Sequence, residues 1–269
     1  MLEHGRDLVR QTGAFNHVIE ATRLMGRLAW AWGDDMKATR CLQECLDLAQ
    51  EHRYPREAAL ARVGMALVAG ERGEYDQAVA LCEQALPDLP PADDEAWVMA
   101  LCAQGRIALL RKQQADRRQE ESTPLPTVDR RPSTDAAHLS SVDGPRSAVA
   151  PMTDDRGTMC AVAHYRVALA HLRPGESRPD ICEVVEFLAW ALAADGQHDE
   201  ASRLLAFAEH ERTEMGIVLP PIDRPHHQRA LDAVRTALDE TTFTMAWAEG
   251  QAMDMAGMMA LAEGKEHDR

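Results

Sequence analysis

The sequence predicts an all-α fold, and two observations carry that prediction. The first is composition: 45% of the 269 residues are apolar and only 4% aromatic. Ala, Leu and Met supply most of the apolar content, which favours closely approaching helices over sheets. The second is a recurrence of small residues. Four segments align without gaps: GRLAWAWG (26–33), ALVAGERG (66–73), GRIALLRK (105–112) and AWALAADG (189–196). The first three start about 40 residues apart, a period that belongs to repeat architectures. Each segment opens on a residue no larger than alanine, Gly26, Ala66, Gly105 or Ala189, which lets a neighbouring helix come close. Three close on Gly33, Gly73 and Gly196, able to take the left-handed conformation that ends a helix.

Small residues then return at matching offsets in the first, second and fourth segments: Ala38 and Cys45 after Gly33, Ala78 and Ala85 after Gly73, Ala201 and Ala208 after Gly196. Side chains seven positions apart share one helix face, so each unit reads as two helices joined by a tight turn. The third unit is interrupted by residues 113–160. Its second helix resumes as MCAVAHYRVALAHL, with Ala161, Tyr165 and Ala168 at the repeat offsets. Residues 115–157 hold five prolines, no aromatics and mixed charge without helical periodicity, and they are expected to form a disordered insertion. The expected organisation is helical repeats over 1–113, the insertion over 114–157, and the remaining repeats with C-terminal helices over 158–269.

After the fourth unit, GIVLPPIDRPHH stops one helix and QRALDAVRTALDE begins the next. Thr241 or Thr242 is expected to cap a helix through TFTMAWAEG, and Asp254 to cap MAGMMALAEG. These helices are expected to cover the open face of the final repeat.

The hairpin pattern resembles the tetratricopeptide repeat in its longer form. The C-terminal run is more specific: RLL followed by A-x-A (203–208), G-x-x-LPP (216–221), and F-x-x-AWAEG-x-A (243–252), which includes Trp247 and Gly250. These landmarks resemble the closing repeat segment of large bacterial ATP-binding transcriptional regulators of the LuxR and SARP classes. The resemblance implies a right-handed superhelix of tetratricopeptide-like hairpins with capping helices. It also implies a module that receives a protein or peptide partner, or a small-molecule inducer, while other domains bind nucleotide and DNA. Asp239 replaces the family's usual glycine, and Ala256-Gly257 replaces an acidic pair in the last helix. No G-x-x-x-x-G-K-[ST] loop is present, so ATP hydrolysis by this chain is not expected.

Charge narrows the function classes. Forty-four Asp+Glu against 29 Lys+Arg leave a net −15, which argues against direct contact with nucleic acid or an anionic membrane. No apolar run reaches the roughly 18 residues a bilayer span needs, and the first residues, MLEHGRDLVRQTG, place charges where a signal peptide needs apolar ones. A cytoplasmic location is expected.

In a stack of hairpins the first helix of each lines the inner wall. The repeat register places Glu20, Arg23, Arg27 and Trp30 on that wall from the first unit, Val63 and Leu67 from the second, Arg106 from the third, and Glu183, Glu186 and Trp190 from the fourth. Tryptophan and arginine dominate binding hot spots, which suits a partner surface; the competing reading is that Trp30 and Trp190 pack between repeats. Cys160, His164 and His171 share a helix face, but Cys160 and His171 lie roughly 16 Å apart at 1.5 Å per residue, too far for one ion. Cys41 and Cys45 are four apart, with Cys45 at a buried small position. His226 and His227 fall in a proline-bounded turn and read as solvated. Met253, Met255, Met258 and Met259 read as a cap on a core rather than an adaptable surface. No metal site, cofactor or catalytic set is expected. The leading expectation is a non-enzymatic sensor or interaction module of a bacterial transcriptional regulator. The alternative is a stand-alone repeat adaptor without a nucleotide switch.

Overall fold

The computed structural model describes residues 15–122, 160–172 and 177–264. Among these residues the chain is helical throughout its regular structure, without strands. The helices are α1 (Phe15–Ala31), α2 (Asp35–Glu51), α3 (Pro55–Glu71), α4 (Tyr75–Ala85), α5 (Asp94–Ser122), α6 (Ala161–His171), α7 (Arg178–Ala194), α8 (His198–Met215), α9 (Arg224–Ala237), α10 (Glu240–Ala252) and α11 (Met255–Ala262). None is long and apolar enough to cross a membrane.

Helices pack in sequence as hairpins, α1 on α2, α3 on α4, α5 on α6 and α7 on α8. The first members also touch in order, α1 to α3 to α5 to α7. Gly33, Gly73 and Gly196 sit at three of the bends with φ of +79°, +79° and +80°. At the first bend the Gly33 N–H donates to the Trp30 carbonyl and the Asp34 N–H to the Ala29 carbonyl, at 2.8 and 2.9 Å. This pair satisfies carbonyls that a helix end otherwise leaves open. The bend between α2 and α3 uses the same bonds with Arg53 at φ +60°. An arginine there gives no glycine signal, so the periodic reading passed over it.

The small residues work by admitting large ones. A Cβ on Gly26 would sit 2.7 Å from the Leu42 side chain, as would one on Gly64; one on Gly105 would meet the Tyr165 ring at 2.8 Å. Leu42 of α2 therefore wedges between α1 and α3, and Tyr165 of α6 seats on α5. Ala38, Cys45, Ala66, Ala78, Ala85, Ala189, Ala201 and Ala208 are all buried.

Three expectations change. Helix α5 continues to Ser122, past the expected boundary at residue 113, because RKQQADRRQEES consists mostly of good helix formers. The rest of the expected insertion, 123–157, lies outside the described residues. The cap of α10 is Asp239, whose carboxylate accepts from the Thr241 and Thr242 N–H groups at 3.0 Å. Aspartate caps better than threonine and its charge favours the helix N-terminus. Asp254 caps α11 through the Gly257 N–H at 2.8 Å. The third change concerns the C-terminal segment. Helix α10 does cover α8, and Gly250 makes that possible, since a Cβ there would lie 2.2 Å from the Arg203 carbonyl oxygen; half-buried Trp247 leans on Phe243. Before α10, however, the chain turns at Gly216 and runs back across the first helices. The Ile222 N–H donates to the Ala31 carbonyl at 3.2 Å, and α9 packs against α7 and α8.

Candidate functional site: a cleft among the first helices

The touching first helices form one wall, and in it lies a cleft of about 260 Å³. Its lining comes from α1, α3, α5 and α7, so all four hairpins contribute. Six of the expected inner-wall residues meet there: Arg27, Trp30, Val63, Leu67, Arg106 and Glu183. Val98, Met99, Cys102, Asp180, Val184 and Phe187 also face it. Sequence reasoning took only Arg106 from its helix, yet Cys102 and Met99 stand four and seven positions before it, on the face the repeat register marks.

The other four expected residues are elsewhere. Glu20 is exposed but not in the cleft. Arg23 is buried and paired with Glu57 at 2.8 Å, joining α1 to α3. Glu186, expected on the partner surface, is buried and accepts from His227 Nδ1 at 2.8 Å while pairing with Arg212 at 3.2 Å. Trp190 is buried beside a second hollow of about 250 Å³, between α7 and α9, where its ring stacks on His226. The register could not foresee that α9 covers the face of α7 that carries Glu186 and Trp190.

That covering produces a dense charge cluster at one side of the cleft. Arg106 donates to Glu71 Oε1 and to Asp223 Oδ1, both at 2.6 Å. Its guanidinium lies 4.9 Å from the Trp30 ring centre and 5.9 Å from that of Phe187. The two partners hold Arg106 charged against the burial that would neutralise it. Burial alone would raise the Glu71 pKa, but His226 and Arg106 outweigh it and hold the carboxyl below its usual range. Burial pushes His226 below its ordinary value, more than Glu71 pulls it up. Arg229 donates to His226 Nδ1 at 3.2 Å, which fits a neutral ring bearing its proton on Nε2 toward Glu71, 3.7 Å away. His226 and His227 are therefore structural rather than solvated.

The remainder of the cleft differs. Arg27 has as its hydrogen-bond acceptor the Met99 sulfur, at 3.6 Å, a weak partner for a guanidinium. Glu183 is open to the cleft space yet enclosed by its walls. That enclosure raises the carboxyl pKa; Arg27 opposes the shift, and Asp223 and Asp180 add to it. Among the described residues Glu183 forms no ion pair or hydrogen bond. Cys102 is held protonated, its pKa raised by burial, so it offers no thiolate. Burial likewise pushes Cys45, Cys82 and Cys182 up to about 12. The histidines weighed as ligands are engaged otherwise: His171 with Asp94 at 3.0 Å, and His164 with the Cys160 carbonyl at 3.0 Å. Met258 is fully buried under the α8 end of the molecule.

Apolar walls with a few convergent charges suit noncovalent binding of a small group. No family model, no curated protein and no solved structure matches the chain.

Proposed function

We propose that this chain is a tetratricopeptide-like repeat module, related to the repeat region of large bacterial ATP-binding transcriptional regulators. In this reading it receives a partner or inducer on its inner wall in the cytoplasm, and works without catalysis, nucleic-acid contact or membrane contact. The observation that supports it most is the convergence of Arg27, Trp30, Val63, Leu67, Arg106 and Glu183 on one cleft. A ligand seated among four hairpins favours the helix spacing that fits it best. The curvature of the proposed right-handed superhelix then follows occupancy, and a linked domain reads it; this is a population shift driven by differential affinity.

The test blocks the cleft and leaves the stack intact. Leu67 is half-buried at the cleft wall, and Leu67→Trp places an indole in the space. Extract of the native cell is passed over immobilised wild-type and variant chains, and retained small molecules and proteins are compared by mass spectrometry. A component held by wild type and lost from the variant supports the reading. Identical recovery by both, with both folded by circular dichroism, sinks it.

A further inference from the structure

Of the ionised groups around the cleft, some are already spoken for. Arg106 is neutralised by Glu71 and Asp223, and Glu95 pairs with Arg56 at 3.2 Å. Among the described residues three remain: Arg27 on α1, whose hydrogen-bond acceptor there is the Met99 sulfur, and Asp180 and Glu183 on α7. Asp180 and Glu183 are three positions apart and hence neighbours on one helix face. Arg27 stands close enough to influence Glu183 but forms no ion pair with it among the described residues. Among the described residues the balance of unpaired charge at the cleft is one cation against two carboxylates. The aromatic faces of Trp30 and Phe187 already carry the Arg106 guanidinium. Free wall is therefore aliphatic: Val63, Leu67, Val98, Met99 and Val184.

We infer that the cleft takes a small aliphatic amine in its ammonium form, the cation lying against Glu183 and Asp180 and the alkyl body against Leu67, Val98, Met99 and Val184. This rests on the inner-wall reading and names its ligand class. A single positive charge brings the unpaired set to neutrality, and the ammonium gives Glu183 the charge-assisted hydrogen bonds it lacks. A carboxylate ligand would find only Arg27 and would face two like charges. The cavity, about 260 Å³, falls just under the roughly 300 Å³ where pockets for drug-sized ligands begin, which fits a small molecule.

The experiment titrates the full chain with hexylamine, 6-aminohexanoate and hexanoate, equal in carbon number and different in charge, followed by ligand-observed NMR. Hexylamine should bind best, the zwitterion more weakly, and hexanoate without saturation. Glu183→Gln should weaken hexylamine by about tenfold or more, Asp180→Asn by less, and Arg27→Gln should leave it unchanged or tighter. Hexanoate or the zwitterion binding as well as hexylamine would overturn the inference. So would an amine affinity indifferent to both Glu183→Gln and Asp180→Asn, or no saturable amine binding at millimolar concentration. Such a failure, with an extract component still lost from Leu67→Trp, would discard the amine and keep the inner-wall reading; loss of that component's dependence on Leu67 would discard the reading itself.

Discussion

Two halves of the wall formed by the first helices handle charge in opposite ways. Where the chain after Gly216 returns across this wall and runs into α9, buried ionised groups meet partners: Arg106 with Glu71 and Asp223, Glu186 with His227 and Arg212. Where α9 does not reach, Arg27, Asp180 and Glu183 face an open cleft, and Glu183 carries a raised pKa with no ion pair or hydrogen bond among the described residues. Paired buried charge holds a structure in register, since removing one member strands the others. Unpaired charge in the cleft contributes little to holding the fold and is available to a ligand. The difference is whether a later segment of chain supplies the countercharge.

Breaking the sealed half should have the largest effect. Arg106→Ala leaves Glu71 and Asp223 buried without their cation and should cost about 3–5 kcal/mol of stability, read by urea unfolding. Adding Glu71→Gln and Asp223→Asn to that variant should recover part of the loss, because the stranded charges are gone; a triple variant weaker than Arg106→Ala would mean the three groups do not act as one cluster.

Acidification should come next. The folded pKa of His226 lies below its ordinary 6.5, as does that of His164, in both cases because burial disfavours the cation. Between those depressed values and pH 6.5 the unfolded chain binds protons that the folded chain does not, so stability is full above pH 6.5 and falls as pH drops below it. Glu71, with its pKa held below 4.5, extends the loss at lower pH. The melting temperature should therefore decline from pH 7 to pH 5, and His226→Gln should flatten that decline in part, leaving the share due to His164.

The open half should respond with the reverse sign. With a folded pKa above 4.5, Glu183 binds protons more readily folded than unfolded, so its contribution worsens as pH rises from 4.5 through the raised value. Glu183→Gln should then raise the melting temperature slightly at pH 7 and change nothing near pH 4. A fall at pH 7 would show that the carboxylate is engaged in holding the fold. Smallest of all, Arg27→Gln should shift stability by no more than about 0.5 kcal/mol, as expected of a side chain without a strong partner.

The first-helix faces were legible in the sequence because small residues recur in step with the helix. Arg27, Trp30, Val63, Leu67, Arg106 and Glu183 were placed by register alone, and all six line the cleft. Glu186 and Trp190 were placed by that register too, yet they are buried under α9. The bend at Arg53 escaped because a left-handed arginine leaves no compositional trace. The end of α5 was set eight or nine residues early because charge and polarity were taken for disorder, whereas Arg, Lys, Gln and Glu are good helix formers.

From the sequence alone come the helical class, the glycine bends and the faces on which helices meet, since all three follow from local periodicity and backbone freedom. Only the tertiary structure decided which charges on the first-helix faces are consumed. Arg106 and Asp223 lie 117 positions apart, and nothing in local pattern reports that a turn at Gly216 and two prolines will send the chain back over the wall it has already built.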